Sequence, residues 1–407
     1  MSPFEGGKGD DMINDRRGNE IWILSFLKRL LTSFFVFIFI SSYSQDQTAI
    51  HKTLLRIEQQ QVIADPHFLQ GVFPSYVSKS KHNNETQKDN NAFYNALICY
   101  TLKKLRSGLS AEDKIIVDSI FSRSERLFPK FRNAKGRRTY NFARTDTAFV
   151  FPFRTNFPKP KGDLRFPDDL DCTSLILLCQ SNPDSVNRNA HQFMQEYVNH
   201  GKLKTTFRSY RKFPAYSSWY GKKFPVVFDV SVLCNILCFV QENNLPWTKA
   251  DSASLQLIVK TIERNDYHRH PLFVSPYYGK ESLILYHLAR LMTVKPIAEL
   301  EALKPLLATK ASYCIAESKD PVEKIMLNSA LMKWGYTQTD MNLVYDDDLS
   351  KVTKKSNFSF FVGNIPSYKK QPWKELLTDV NALQYHYYCN AFNETLLLEY
   401  LVLANKK

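Results

Sequence analysis

Glycine is scarce in this chain, 13 residues in 407, which argues against an all-β fold built on many tight turns. No phosphate loop is present: the opening "GGKG" (6–9) lacks the glycine spacing and the Lys-Ser or Lys-Thr pair that such a loop needs. Zinc-type spacing is also missing. Cys234 and Cys238 are four apart on one helix face, but Cys99, Cys172, Cys179, Cys314 and Cys389 supply no second pair. "YDDDLSK", with Asp346 to Asp348, lacks the Gly and Glu positions of a calcium loop and reads as a turn. No metal and no cofactor are therefore expected. Seven cysteines cannot all pair within one chain, and most sit in apolar helical stretches, so buried free thiols are expected rather than disulfides.

The apolar run "LLTSFFVFIFI" at Leu30–Ile40 has eleven residues, too short for a comfortable membrane span. Arg16, Arg17, Lys28 and Arg29 precede it, and the small residues Ser42 and Ser44 follow. That layout is a secretory signal peptide cleaved between Ser44 and Gln45, with Met1 or Met12 as the start. An uncleaved anchor beginning near Ile21 is the alternative. The expectation is an exported protein, periplasmic or secreted, with 1–44 as upstream segment and signal peptide and 45–407 as one domain. Its formal net charge is +14.

Aromatic residues are plentiful, with 29 Phe and 21 Tyr. Apolar strings of helix length recur, each opened by polar residues: "NNAFYNALICYTL" from Asn90, "DLDCTSLILLCQ" from Asp169, "DVSVLCNILCFV" from Asp229, "YGKESLILYHLARL" from Tyr278, "KIMLNSALMKWG" from Lys324 and "NAFNETLLLEYLVL" from Asn390. They are apolar nearly all round, as helices buried on most sides are. Between them lie amphipathic stretches such as "AEDKIIVDSIFSRSERLF" and "DSASLQLIVKTIERN", suited to an outer layer. The expected fold is all-α, an α/α toroid of about six helix pairs, with an open solenoid of helix pairs as the alternative. A basic, Pro- and Phe-rich insertion around 129–166 interrupts the first interval.

In a closed ring the starts of the inner helices converge on one mouth. Asp168, Asp169, Asp171, Asp229, Tyr278, Glu281, Asn390 and Asn393 all lie at or near such starts, where helix dipoles favour acidic side chains. "PDDLDCTS" (Pro167 to Ser174) reads two ways. It is an ordinary N-cap with first-turn acids, or a carboxylate cluster whose crowding raises at least one pKa. The run resembles the acid motif of class II terpenoid cyclases, in which Asp-x-Asp-Asp is followed by Thr and a small residue at an inner-helix start. Asp169, Leu170, Asp171, Cys172, Thr173 and Ser174 occupy the matching places, with Cys172 standing where the family has its last Asp. "FVQENNLPW" (Phe239 to Trp247) is similar to that family's Gln…Trp repeat without its Gly. The resemblance, at the level of the terpenoid cyclase and protein prenyltransferase superfamily, implies that Asp171 protonates an alkene or epoxide. Asp168 and Asp169 would tune it.

Asp229 is the expected second carboxylate, and a hydrolase or lyase would pair it with Asp171 across a glycan. Tyr278, Glu281, Tyr387, Asn390 and Asn393 are the expected substrate-binding residues, tyrosine faces being suited to a cation. Asp229 and Glu281 read equally as a cap and a first-turn acid. Basic residues cluster in "RSERLFPKFRNAKGRR" (123–138) and "KLKTTFRSYRKFPAYSSWYGKK" (202–223), with aromatics interleaved in the second. Export makes nucleic acid an improbable partner. The expected partners are a small-molecule, lipid or glycan substrate and an anionic membrane or envelope surface. Three functions stand open: acid-initiated chemistry on an isoprenoid or lipid, glycan hydrolysis or lysis, and non-catalytic binding in the envelope.

Overall fold

The computed structural model describes residues 47–79, 85–147, 167–201, 203–221, 224–338, 350–354 and 356–405. The expected signal peptide, the second half of the insertion and the Asp346–Asp348 turn lie outside them. The chain divides into two compact units, Met1–Ile50 and His51–Lys407. Of the first, only 47–50 are described, as helix. The rest concerns the second.

Its longer helices are α1 (51–60 within this unit), α2 (Ala92–Leu105), α3 (Ala111–Leu127), α4 (Leu170–Cys179), α5 (Asp184–Met194), α6 (Val230–Glu242), α7 (Lys249–Glu263), α8 (Glu281–Met292), α9 (Lys304–Glu317), α10 (Pro321–Lys333) and α11 (Asn390–Ala404). The protein is mostly helical, and each apolar string noted in the sequence is one of these helices. Side-chain caps fix several starts: Asn91 accepts from Tyr94 N, Asp169 from Cys172 N, and Asp229 from Ser231 N and Val232 N. Asp320 caps α10, with Pro321 at its first position, where a missing N–H costs nothing.

Helices α2, α4, α6, α8, α10 and α11 are buried along most of their length. Each packs on the next, and α11 packs on α2, so the succession returns to its start. Leu175, Ile176, Leu177 and Leu178 show how completely α4 is enclosed: four consecutive side chains face four directions and all are buried. Burial of that kind contributes about 1.5–3 kcal/mol per side chain. The amphipathic helices lie outside: α3 packs on α2, α7 on α6, and α9 on α8 and α10. A buried network joins α5 to α7, where Asp251 accepts from His191 Nε2 at 3.0 Å and from the Tyr216 hydroxyl at 2.9 Å.

The expectation of an all-α chain needs one correction. A four-stranded antiparallel sheet, in the order β2-β1-β4-β3, is formed by β1 (Ser75–Lys79), β2 (Thr86–Asp89), β3 (Phe361–Asn364) and β4 (Gln384–Tyr388). Its strands are too short to carry a readable two-residue alternation. Its central pairing, Val77 opposite Tyr387, joins opposite ends of the chain. Neither property leaves a local signal.

Candidate functional site

Residues 167–169 run as an extended piece clamped from both sides. Asp169 N donates to Tyr140 O at 3.0 Å, Leu170 N to Ser218 O at 2.9 Å, and Tyr220 N to Asp168 O at 2.9 Å. The three carboxylates leave this clamp in different directions. Asp168 accepts from Asn133 Nδ2 and Thr139 Oγ1. Asp169 caps α4 through Oδ1, which accepts from Cys172 N at 2.6 Å. Asp171, in the first turn of α4, accepts from Asn235 Nδ2 at 2.7 Å on one oxygen and from the Tyr278 hydroxyl at 2.6 Å on the other.

Their environments separate their chemistry. Burial pushes Asp169 well above the ordinary carboxylate range; the Cys172 N–H opposes the rise and Asp171 adds to it. Its Oδ2 is buried without a nitrogen or oxygen partner, the weak Cys172 thiol being the polar group that faces the carboxyl. Burial also raises Asp171, but its donors Tyr278 and Asn235 hold it at about 6.

Asp229 is a cap with its capacity filled. Oδ1 accepts from Ser231 N, Val232 N and Ser275 Oγ, and Oδ2 from Tyr277 N at 2.9 Å. Burial lifts it to about 7. It lies close enough to Asp171 for their charges to interact, with the Tyr277–Tyr278 dipeptide binding both. The sequence paired these two acids across a substrate; the structure joins them through the protein instead.

Phe361 of β3 occupies the space between the inner-helix starts. Its ring lies 4.8 Å from Phe93, 5.0 Å from Phe142, 5.3 Å from Tyr387 and 6.2 Å from each of Tyr277 and Tyr278. Tyr387 therefore belongs to the aromatic packing over these starts, and Asn393 is buried near the beginning of α11. Two expected site residues turn elsewhere. Glu281 accepts from His268 Nδ1 at 2.7 Å, and Asn390 Nδ2 donates to Gln60 Oε1 at 2.8 Å. A helix start fixes where a side chain is rooted, not the side of the helix on which it leaves.

A cavity of about 300 Å³ opens beside the clamp. Asp168, Pro167 and Tyr220 line it from the α4 side, and Asn133, Lys135, Arg137, Asn141 and Arg144 from the first half of the insertion. Arg144 is held by Asp146 through two hydrogen bonds, and the Arg137 guanidinium lies 5.2 Å from the Phe193 ring centre. Of the residues named as a site from sequence, only Asp168 reaches this cavity. Asn141 carried no signal; Asn133, Lys135 and Arg137 were visible only as part of one basic run, and Tyr220 only as an aromatic interleaved in the other. Among the described residues no group of three or more His, Cys, Asp or Glu side chains could hold a metal ion, and all seven cysteines are unbridged. No family model matches the chain, and no curated protein or solved structure matches it either.

Proposed function

We propose that the protein is an exported α/α toroid of the cell envelope that binds an acidic glycan in the cavity beside Asp168. The toroid reading is supported by the packing succession that runs from α2 back to α2 and by the outer helices between. Export rests on the basic, apolar and small-residue pattern of 16–44. The glycan reading is carried by one observation: three cationic side chains, Lys135, Arg137 and Arg144, stand around a cavity that Asp168 and Tyr220 also line. Cations complement the carboxylates of a uronic acid, and Asn and Asp side chains complement its hydroxyls. Calorimetry with an oligouronate and a neutral oligosaccharide of equal length tests it. Binding of the oligouronate should weaken about tenfold in Lys135→Glu/Arg137→Glu, about 1.4 kcal/mol. Equal affinity for the neutral sugar would sink the reading.

A second reading, acid-initiated chemistry on an isoprenoid or lipid, is favoured by the Asp169 carboxyl: raised, buried, and with Oδ2 unpartnered by nitrogen or oxygen. It keeps the resemblance to the cyclase motif but moves the proton donor from Asp171 to Asp169.

A further inference from the structure

We infer that the face formed by residues 365–380 is a docking surface for an anionic lipid bilayer. Large apolar side chains are concentrated there: Trp373 is 61% exposed, Leu376 66%, Val380 40% and Ile365 39%. Trp373 and Leu376 are three apart on one helical turn and so share a face. That turn packs on the 3₁₀ turn Ile365–Tyr368, which brings Ile365 alongside. The turn is pinned from beneath. Lys374 is buried, its Nζ donating to Phe273 O at 3.1 Å and lying 4.4 Å from the Phe273 ring centre. With its lysine turned inward, the turn presents apolar groups outward.

Cations surround the patch. Lys369 and Lys370 precede it in the chain, and both are exposed. Gln371 N donates to Lys204 O at 3.0 Å, which sets exposed Lys204 beside it. Glu375 and Asp379 are the acids on the face, so cations outnumber them. An amphipathic Trp with Leu beside it and lysines around it suits the headgroup region of a membrane. The surface is independent of the glycan cavity.

Brominated-lipid quenching of tryptophan fluorescence in the full chain tests it, because the quenching is local to the inserted residue. Any contact made by the Leu30–Ile40 run is common to all variants. Vesicles of brominated phosphatidylglycerol should quench the wild type more strongly than vesicles of brominated phosphatidylcholine. Trp373→Phe should lose most of that quenching, and Leu376→Asp should lose it with an unchanged circular dichroism spectrum. Lys369→Glu/Lys370→Glu should weaken partitioning onto phosphatidylglycerol about tenfold or more, since each cation contributes about fivefold. Equal quenching by the two lipids, or unchanged quenching in Trp373→Phe, would overturn the inference. A dimer in sedimentation equilibrium that Leu376→Asp dissociates would reassign the face to a second copy of the chain.

Discussion

The Tyr278 hydroxyl donates to Asp171 Oδ2 at 2.6 Å and thereby ties the segment before α8 to the first turn of α4. Ser275 Oγ and Tyr277 N, from the same segment, donate to Asp229 at the start of α6. Four residues of loop, Ser275 to Tyr278, thus lace three inner-helix starts together through two buried carboxylates. Among the described residues neither carboxylate has an arginine or lysine as a hydrogen-bond donor, and burial raises both.

Stability should therefore fall with rising pH at these two acids. An aspartate whose folded pKa exceeds its unfolded value, about 3.9, holds its proton more tightly when folded. Its contribution is full below about pH 4 and is lost as pH rises through about 6 for Asp171 and about 7 for Asp229. Asp171→Asn removes one of these penalties. Its stability relative to wild type should improve between pH 4 and pH 7 by no more than about 3 kcal/mol, read by urea denaturation across that range. A gap that does not vary with pH would contradict this.

Asp251 should behave in the opposite sense. Burial opposes its ionisation, but hydrogen bonds from His191 and Thr248 win and hold its carboxyl below the ordinary range. Its contribution is present above the unfolded pKa and lost as pH falls through the folded one. Asp251→Ala strips an acceptor from His191, Tyr216 and Thr248 at once. The expected cost is about 3 kcal/mol or more at neutral pH, shrinking in acid, by the same denaturation series.

Asp169 offers a cleaner separation of cap from acid. Asn caps a helix about as well as Asp, so below about pH 4, where the raised carboxyl carries no ionisation penalty, Asp169→Asn should change stability by under about 1 kcal/mol, whereas Asp169→Ala should cost about 1 kcal/mol or more. If Asp169 donates a proton to a bound ligand, both variants lose turnover equally. Turnover that survives in Asp169→Asn would restrict the residue to capping.

Gly279 closes the loop that carries Tyr277 and Tyr278. Its φ is +69°, and a Cβ built there would lie 2.6 Å from Leu272 Cδ2. The leucine tip can yield, but the left-handed backbone remains strained. Gly279→Ala should cost about 1–3 kcal/mol in chemical denaturation, with a changed near-UV circular dichroism signal from the displaced tyrosines.

The helices and their alternation were legible because each inner helix carries an unbroken apolar string, opened in several cases by a polar cap. A string such as "LILLC" can be buried only from all sides. The acids at the starts of α4 and α6 were legible for the same reason, as the residues that fill unpaired helix N–H groups. The individual directions of Asp168, Asp169 and Asp171 were not. Three carboxylates within four residues look alike in a string, and the clamp between Tyr140 and Trp219 sends each to different partners.

By itself, then, the sequence determined a helical protein with buried and half-buried helices in alternation, since hydrophobic burial depends on local composition and period. Only the tertiary structure decided the rest. The pairing of β1 with β4, the ring of Phe361 set among the inner-helix starts, the cavity between Asp168 and Lys135, and the apolar face beside Lys204 all bring together residues far apart in the chain. Such contacts are selected by the shape and charge of the folded surfaces that meet, and no stretch of sequence contains both halves.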